Sequence, residues 1–376
     1  MKKVHITLVG GQPVPVYIGI KGDGQANTVV LVCSPQSKTE AERIEEQFPK
    51  KQILVKECPP VELEGIENLA IELFKEYADY EKTINLTSGT KLWSLTFFRV
   101  FSQDRNSHFI YIDQNNQITD ILSKDFHIGE INTLKRFELY GTPLTSFRML
   151  EEYDDEDMYV AKKIEKFRSR NRYEFIRLTG NWNKLEMNER DILTTEKGSR
   201  LEYSKDERWA RIRLYTNRGF LTKEFHCQHL FDILFNSGWF ELKTAIELSK
   251  NEKKNKIWLN CEFADSEGNP KNEIDIIAEL DNRLLFVECK TMIHDSTDID
   301  KFRSALRNFS GTSSMGIFVT NDKPNATSLS RYEHAMEKCK DNGILTFNFS
   351  LWGANPFDAP TLKAIVNEQI QLQNKR

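Results

Sequence analysis

Short apolar runs recur along the first 125 positions, separated by longer stretches whose apolar residues fall near helical spacing. Val4–Val9, Thr28–Cys33, Gln52–Cys58, Thr83–Leu86 and His108–Ile112 predict strands, and Thr39–Phe48, Glu62–Tyr77 and Lys91–Phe101 predict the helices between them. Strands alternating with helices build a mostly parallel sheet covered by helices, so residues 1–125 are expected to form a Rossmann-like α/β domain.

In such sheets ligands sit beyond the carboxyl ends of the strands, where loops and helix N-termini present backbone N–H groups. Two loops fall there: Gly10-Gly11-Gln12-Pro13, and Asn85-Leu86-Thr87-Ser88-Gly89-Thr90-Lys91. Small residues and hydroxyls let a phosphate approach, and Lys91 adds a positive charge. The same residues also make ordinary tight turns and helix caps, and both readings stay open. The glycines match neither G-x-G-x-x-G nor a Walker loop, so dinucleotide or NTP binding of the usual kind is not predicted.

From 126 to 225 the alternation fades. An acidic run, Leu150-Glu151-Glu152-Tyr153-Asp154-Asp155-Glu156-Asp157, places a linker or boundary near 150–158. A basic stretch follows, with Lys162, Lys163, Lys166, Arg168, Arg170, Arg172 and Arg177, then Arg200, Lys205, Arg208, Arg211, Arg213 and Arg218. Tyr173, Trp182, Tyr203, Trp209 and Tyr215 are interleaved with them. Cations attract a nucleic-acid backbone and rings stack on bases, but Glu165, Glu174, Glu189, Glu202, Asp206 and Glu207 in the same stretch fit a solvated face equally well. Residues 126–225 are therefore a linker or middle region of open fold.

An α/β pattern returns over 226–376, with a helix before Ser237-Gly238 and another starting at Trp239-Phe240-Glu241-Leu242. His226, Cys227 and His229 crowd one turn, but no fourth ligand stands at a recognisable spacing and no zinc site is predicted. Further on, Glu273–Leu280 and Arg283–Lys290 are β-rich runs joined by Asp281-Asn282, a two-residue hairpin signal. Alternation puts Glu288 and Lys290 on one face of the second strand and Cys289 on the other. The hairpin brings Asp275 across from that strand's end, so two carboxylates and a lysine converge at one sheet margin. Hard divalent cations prefer carboxylate oxygens with open water positions, which makes Mg²⁺ or Mn²⁺ a better fit than zinc. Asp275 and Glu288 are the expected metal ligands, Lys290 the group that orients a water or stabilises a phosphoryl charge, and Glu241 an additional carboxylate.

Composition narrows the class without naming the chemistry. The chain has 376 residues, 39 % hydrophobic and 29 % charged, which describes a globular protein of more than one domain. The apolar run after Lys2-Lys3 ends at Gly10-Gly11, too short for a signal peptide, and no stretch reaches the roughly 20 apolar residues of a membrane span. A cytoplasmic protein is expected. The six cysteines are scattered without a Cys-x-x-Cys pair, as buried free thiols would be, and a net charge of -4 gives no global signal for nucleic acid.

Asp275 with Glu288-Cys289-Lys290 resembles the PD-(D/E)xK nuclease superfamily. Together with Trp239-Phe240-Glu241 and the Asn85–Lys91 loop, the chain resembles the CRISPR-associated CARF-domain nucleases of the Can/Card type. That resemblance implies a CARF sensor domain over 1–125, the middle region over 126–225 and a restriction-endonuclease-like PD-(D/E)xK domain over 226–376. It further implies a homodimer activated by a cyclic oligoadenylate, cyclic tetra-adenylate above all, that cleaves single-stranded RNA and/or DNA in type III CRISPR antiviral defence. Gly11, Gln12, Thr87, Ser88, Gly89, Thr90 and Lys91 would contact the activator, and Asp275, Glu288 and Lys290, with Glu241, would be catalytic. Asn308 stands where many relatives carry a glutamine after the lysine strand. A ligand-independent restriction or repair DNase and a non-catalytic, nucleic-acid-binding regulator remain as alternatives. A HEPN ribonuclease is disfavoured, because no arginine stands at Arg-x4-6-His spacing from any of the seven histidines.

Overall fold

The computed structural model describes residues 2–180, 182, 187–250, 254–265, 267–280, 283–293, 296–309, 314–352 and 361–374. The chain divides into two compact units. The first is Met1–Thr145 with Phe263–Asn272 and Arg307–Ser313, and the second is Ser146–Glu262, Glu273–Leu306 and Ser314–Arg376.

The first unit runs β1 (Lys2–Val9), α1 (Pro13–Gly22), β2 (Thr28–Cys33), α2 (Lys38–Glu46), β3 (Gln52–Glu57), α3 (Leu63–Glu76), β4 (Tyr80–Asn85), α4 (Lys91–Phe101), β5 (Ser107–Ile112), β6 (Gln117–Asp120), β7 (Phe126–Ile128) and α5 (Thr133–Leu139). Its sheet has the order β3-β2-β1-β4-β5-β6-β7, with the first five strands parallel and the last two returning antiparallel. This is the predicted Rossmann-like arrangement. Val4, Ile6 and Leu8 pack on one face against α3 and α4, while Val9, Val29 and Leu31 face α1 and α2 on the other. Helix α1 lies where the sequence suggested only a loop. Pro13 and Pro15 obscured it, yet proline is tolerated in a first turn, where its missing N–H would have no helical partner.

The second unit begins with β8 (Leu144–Met149), α6 (Asp155–Arg168) and α7 (Arg172–Thr179), followed by β9 (Arg190–Thr194), β10 (Arg200–Ser204), β11 (Trp209–Thr216) and β12 (Gly219–His226). Next come α8 (Leu230–Leu234), α9 (Gly238–Ser249), β13 (Lys254–Ala264), β14 (Pro270–Leu280), β15 (Arg283–Lys290), α10 (Thr297–Phe309), β16 (Ser314–Thr320), α11 (Leu329–Asp341), β17 (Leu345–Asn348), α12 (Phe349–Trp352) and α13 (Leu362–Asn374). A six-stranded mixed sheet, β17-β16-β15-β14-β13-β8, and an antiparallel sheet, β12-β11-β10-β9, share one apolar core with the helices.

The stretch the pattern left undecided is therefore folded. Its acidic run is the start of α6, where the Asp154 carboxylate accepts from the Asp157 N–H and Asp157 returns a bond to the Asp154 N–H. Carboxylates belong at that end because the helix dipole is positive there.

Helix α9 is aimed by a tight turn. Asn236 and Ser237 both have positive φ, and a Cβ on Gly238 would stand 1.7 Å from the Asp232 carbonyl oxygen. Because that neighbour is backbone, nothing cheap can move. Gly238→Ala is expected to destabilise the second unit by at least about 1 to 3 kcal/mol, read as a lower midpoint of urea unfolding at unchanged slope.

Candidate functional site

Strand β15 is nearly all apolar until its last three residues. It is central, antiparallel to β14 and parallel to β16, and Leu284, Leu285, Phe286 and Val287 are buried. Ile276 pairs with Val287, so one further step along the hairpin sets Asp275 beside Glu288. Asp275 Oδ2 accepts the Cys289 N–H at 2.6 Å, and Lys290 Nζ lies 2.5 Å from Glu288 Oε1. The structure thus brings Asp275, Glu288 and Lys290 together on adjacent strands. The Asp281-Asn282 turn lies outside the described residues.

Burial pushes the Glu288 carboxyl up to about 8, and the charge of Asp275 pushes the same way against the pull of Lys290. Asp275 is likewise raised by burial, opposed by Lys290 and by the Cys289 N–H. Burial works to lower Lys290, but the carboxylates of Asp275 and Glu288 outweigh it and the ammonium holds its proton more tightly than usual. With both acids ionised, one lysine leaves this buried group net negative. The pair therefore keeps a proton at neutral pH unless another cation takes its place.

Those residues fit a hard divalent ion, for which one or two carboxylates with the remaining positions open to water and phosphate is an ordinary arrangement. Among the described residues no group of three His, Cys, Asp or Glu stands together in a metal-holding cluster.

Glu241 is buried on α9, and its charge acts on Cys289 and Cys261. The groups acting on Asp275, Glu288 and Lys290 are one another and Asp298. Asp298 lies in the first turn of α10 and escaped the sequence reading. The available signal was a carboxylate opening the helix that follows the lysine strand. Asn308 belongs to α10, and its side chain lies outside the described residues.

In the first unit, the loops after β1 and β4 meet. A Cβ on Gly10 would come within 2.8 Å of the Gly89 nitrogen, and Gly89 itself has φ +82°. Both glycines are required by that approach. Ser88 is buried and its Oγ donates to the Gln12 carbonyl at 3.2 Å, while Thr90 caps α4 by accepting from the Trp93 N–H at 3.2 Å. Thr87 Oγ1 donates to Asn85 Oδ1 at 2.7 Å and accepts the Ile112 N–H at 2.8 Å.

A cleft of about 380 Å³ opens at these strand ends, lined in part by Gln12, Thr87, Tyr111, Asp113, Asn116 and Arg136. Of the predicted contact residues, Gln12 and Thr87 line it, Ser88, Gly89 and Thr90 shape the loop, and Gly11 and Lys91 are exposed. Tyr111, Asp113 and Arg136 were missed. The first two follow from the β5 strand end, whereas Arg136 sits on α5 in the stretch of undecided fold.

Residues 4–134 match the Card1 CARF domain family model, and the first unit carries a domain of that type. No curated protein matches the chain. The solved structures that share its fold include these three. Can2 from Sulfobacillus thermosulfidooxidans, in complex with cyclic tetra-adenylate, is 16 % identical over 99 % of this chain and 98 % of its own, with TM-score 0.64. Protein VC1899 from Vibrio cholerae is 13 % identical over 98 % and 97 %, with TM-score 0.67. A type III CRISPR defence DNA nuclease activated by cyclic oligoadenylate is 13 % identical over 97 % of this chain and 53 % of its own, with TM-score 0.55.

The raised Glu288 carboxyl has a consequence for stability. Its folded value lies above that of an unfolded glutamate, so its contribution is fully present below about pH 4.5 and is lost as pH rises through about 8. In metal-free buffer the melting temperature is expected to fall between pH 5 and pH 8. Glu288→Gln flattens that fall, and an equally steep one in the variant would show that another group is responsible.

Proposed function

We propose that this chain, with a Card1-type CARF domain ahead of a unit holding two carboxylates and a lysine at a strand end, is a cyclic-oligoadenylate-activated, metal-dependent nuclease of type III CRISPR defence. The observation that carries this reading is the Asp275–Glu288–Lys290 group, whose two buried carboxylates can both ionise only with a cation beyond Lys290. A bound Mg²⁺ or Mn²⁺ supplies Lewis-acid stabilisation of a phosphoryl oxygen and a more acidic water.

Asp275 and Glu288 hold that charge in place, and the Cys289 N–H fixes one oxygen of Asp275 so that the pair is preorganised. Lys290 neutralises Glu288 in the resting protein. Asp275 and Glu288 would hold a divalent ion, and the Lys290 ammonium beside them would stabilise charge on the non-bridging phosphate oxygens or orient the attacking water. Asp298, at the α10 N-terminus, is a further carboxylate whose charge acts on the group, and Glu241 on α9 acts on the neighbouring Cys289. The substrate class is single-stranded RNA or DNA.

The cleft at Gln12 and Thr87 fits a phosphate-rich ligand. Small residues bring backbone close, α1 begins beside it, Arg136 lines it, and the exposed Lys91 follows the Thr87 loop. Cyclic tetra-adenylate is the activator we propose, bound across a homodimer. Activation requires only that it bind one arrangement of the protein better than another.

Labelled single-stranded RNA and DNA should be cut in Mn²⁺ or Mg²⁺ only when cyclic tetra-adenylate is added. Lys290→Ala and Glu288→Ala should each lower the rate by about 100-fold or more without changing activator affinity. Lys91→Ala and Gln12→Ala should do the reverse, raising the activator concentration needed about tenfold with the saturated rate preserved. Cleavage that persists in both Lys290→Ala and Glu288→Ala would falsify the site. Equal cleavage without activator favours a ligand-independent DNase.

A further inference from the structure

At the C-terminal end of α6, Arg168 is 5 % exposed, and its Nε and Nη2 have no hydrogen-bond partner among the described residues. Its guanidinium lies over the Trp239 ring, 5.2 Å from the centroid, and the Trp239 indole N–H is also buried without a partner. Buried donors in native proteins are nearly always satisfied, and an uncompensated buried cation is costly. Three such donors around one stacked pair describe a place that lacks an acceptor.

Arg172 adds a like charge beside Arg168, and the acids near them, Asp322 and Glu165, already have other partners. Arg172, which opens α7 across the junction from Arg168, reaches Asp322 only at 3.6 Å, and one oxygen of that buried carboxylate already accepts the Ile293 N–H at 3.1 Å. Glu165, the other nearby acid, is held by Lys243 at 2.7 Å. Two guanidiniums thus share one partly committed carboxylate. Helix α9, which carries Trp239 in its first turn, has no side-chain cap, and its positive end adds to the field.

These groups sit at the strand ends that carry the candidate chemistry. Thr320 pairs level with Lys290, Asp322 follows two residues later, and Thr291 Oγ1, next after Lys290, meets Ser237 Oγ at 3.4 Å, two residues before Trp239. An anion at Arg168 and Arg172 would therefore lie beside the phosphoryl-transfer site. Arg172, with its side chain 26 % exposed, is the accessible arm, and Arg168 is the buried charge behind it.

We propose that Arg168, Arg172 and the Trp239 indole N–H form a subsite for a non-scissile backbone phosphate of the nucleic-acid strand, setting its register against Lys290. This rests on the nuclease reading for its ligand, and the geometry stands on its own. Asp322 holds Arg172 while the subsite is empty. An incoming phosphate takes over both guanidiniums, a planar, charge-assisted arrangement for which arginine is suited and lysine is not.

The test uses the full chain carrying Glu288→Gln, and fluorescence anisotropy of a labelled single-stranded oligonucleotide across a salt series. Arg172→Met should weaken binding about tenfold and lower the slope of log affinity against log salt by about 0.7, one phosphate contact on a single strand. Trp239→Phe, which keeps the ring and removes the N–H, should weaken it about threefold, and Arg168→Lys should not restore full affinity. In the otherwise native protein Arg172→Met should raise KM far more than it lowers kcat. Inorganic sulfate should raise the melting temperature of the native chain but not of Arg172→Met, a readout that needs no nucleic acid. Affinity within twofold, an unchanged slope and undiminished sulfate stabilisation in Arg172→Met would overturn the subsite even if cleavage is intact. Loss of slope and sulfate response in a chain with no metal-dependent cleavage would keep the subsite and discard the nuclease reading.

Discussion

Two like charges buried at the end of an apolar strand are the constraint on which the second unit turns. Leu284 to Val287 place β15 in the centre of a sheet, and the chain then runs directly into Glu288 and Lys290 with Asp275 alongside. Such a group is tolerated only because each member meets an opposite charge or a backbone N–H, and even so Glu288 keeps its proton far above the usual carboxylate range. A fold selected for stability alone would put apolar residues there. A bound cation would relieve the tension between burial and charge, which is why this cluster, rather than any exposed acidic patch, carries the proposed function.

The first unit meets a gentler version of the same problem. Its ligand face is made of backbone and short polar side chains at strand ends, where Gly10 and Gly89 approach more closely than any side chain would permit. Thr87, Ser88 and Asn85 spend their hydrogen-bonding groups holding the loops together. These residues make the turn, and the turn brings backbone to the cleft. The basic stretch divides in a similar way. Arg211 and Arg200 are engaged by glutamates on an open sheet, as a solvated face would be, whereas Arg168 is buried with donors that lack acceptors among the described residues.

Local pattern was enough wherever one element settles the matter. Apolar alternation located the parallel strands of the first unit and the β14–β15 hairpin. The two-residue period by itself set Glu288 and Lys290 on one face with Cys289 on the other, and the hairpin register placed Asp275 within reach. What pattern could not supply was anything that depends on a partner distant in sequence. Helix α1 was hidden by its prolines, and the four-stranded sheet of 190–226 by charges that only cross-strand pairing makes sense of.

Tertiary structure alone decided burial, and burial decided the chemistry. A glutamate reads the same on a surface as in a core, and it is burial between β14 and β16, with Asp275 beside it, that raises Glu288. Asp298, Arg136 and the Arg168–Trp239 stack follow the same logic, since each gains its meaning from neighbours tens of residues away. The sequence by itself determined which residues could form a carboxylate and lysine cluster, because that depends on a period of two and one short turn. Which charges it would be costly to leave unpaired was settled by the fold, because the energy of a charge depends on the surroundings that exclude water from it.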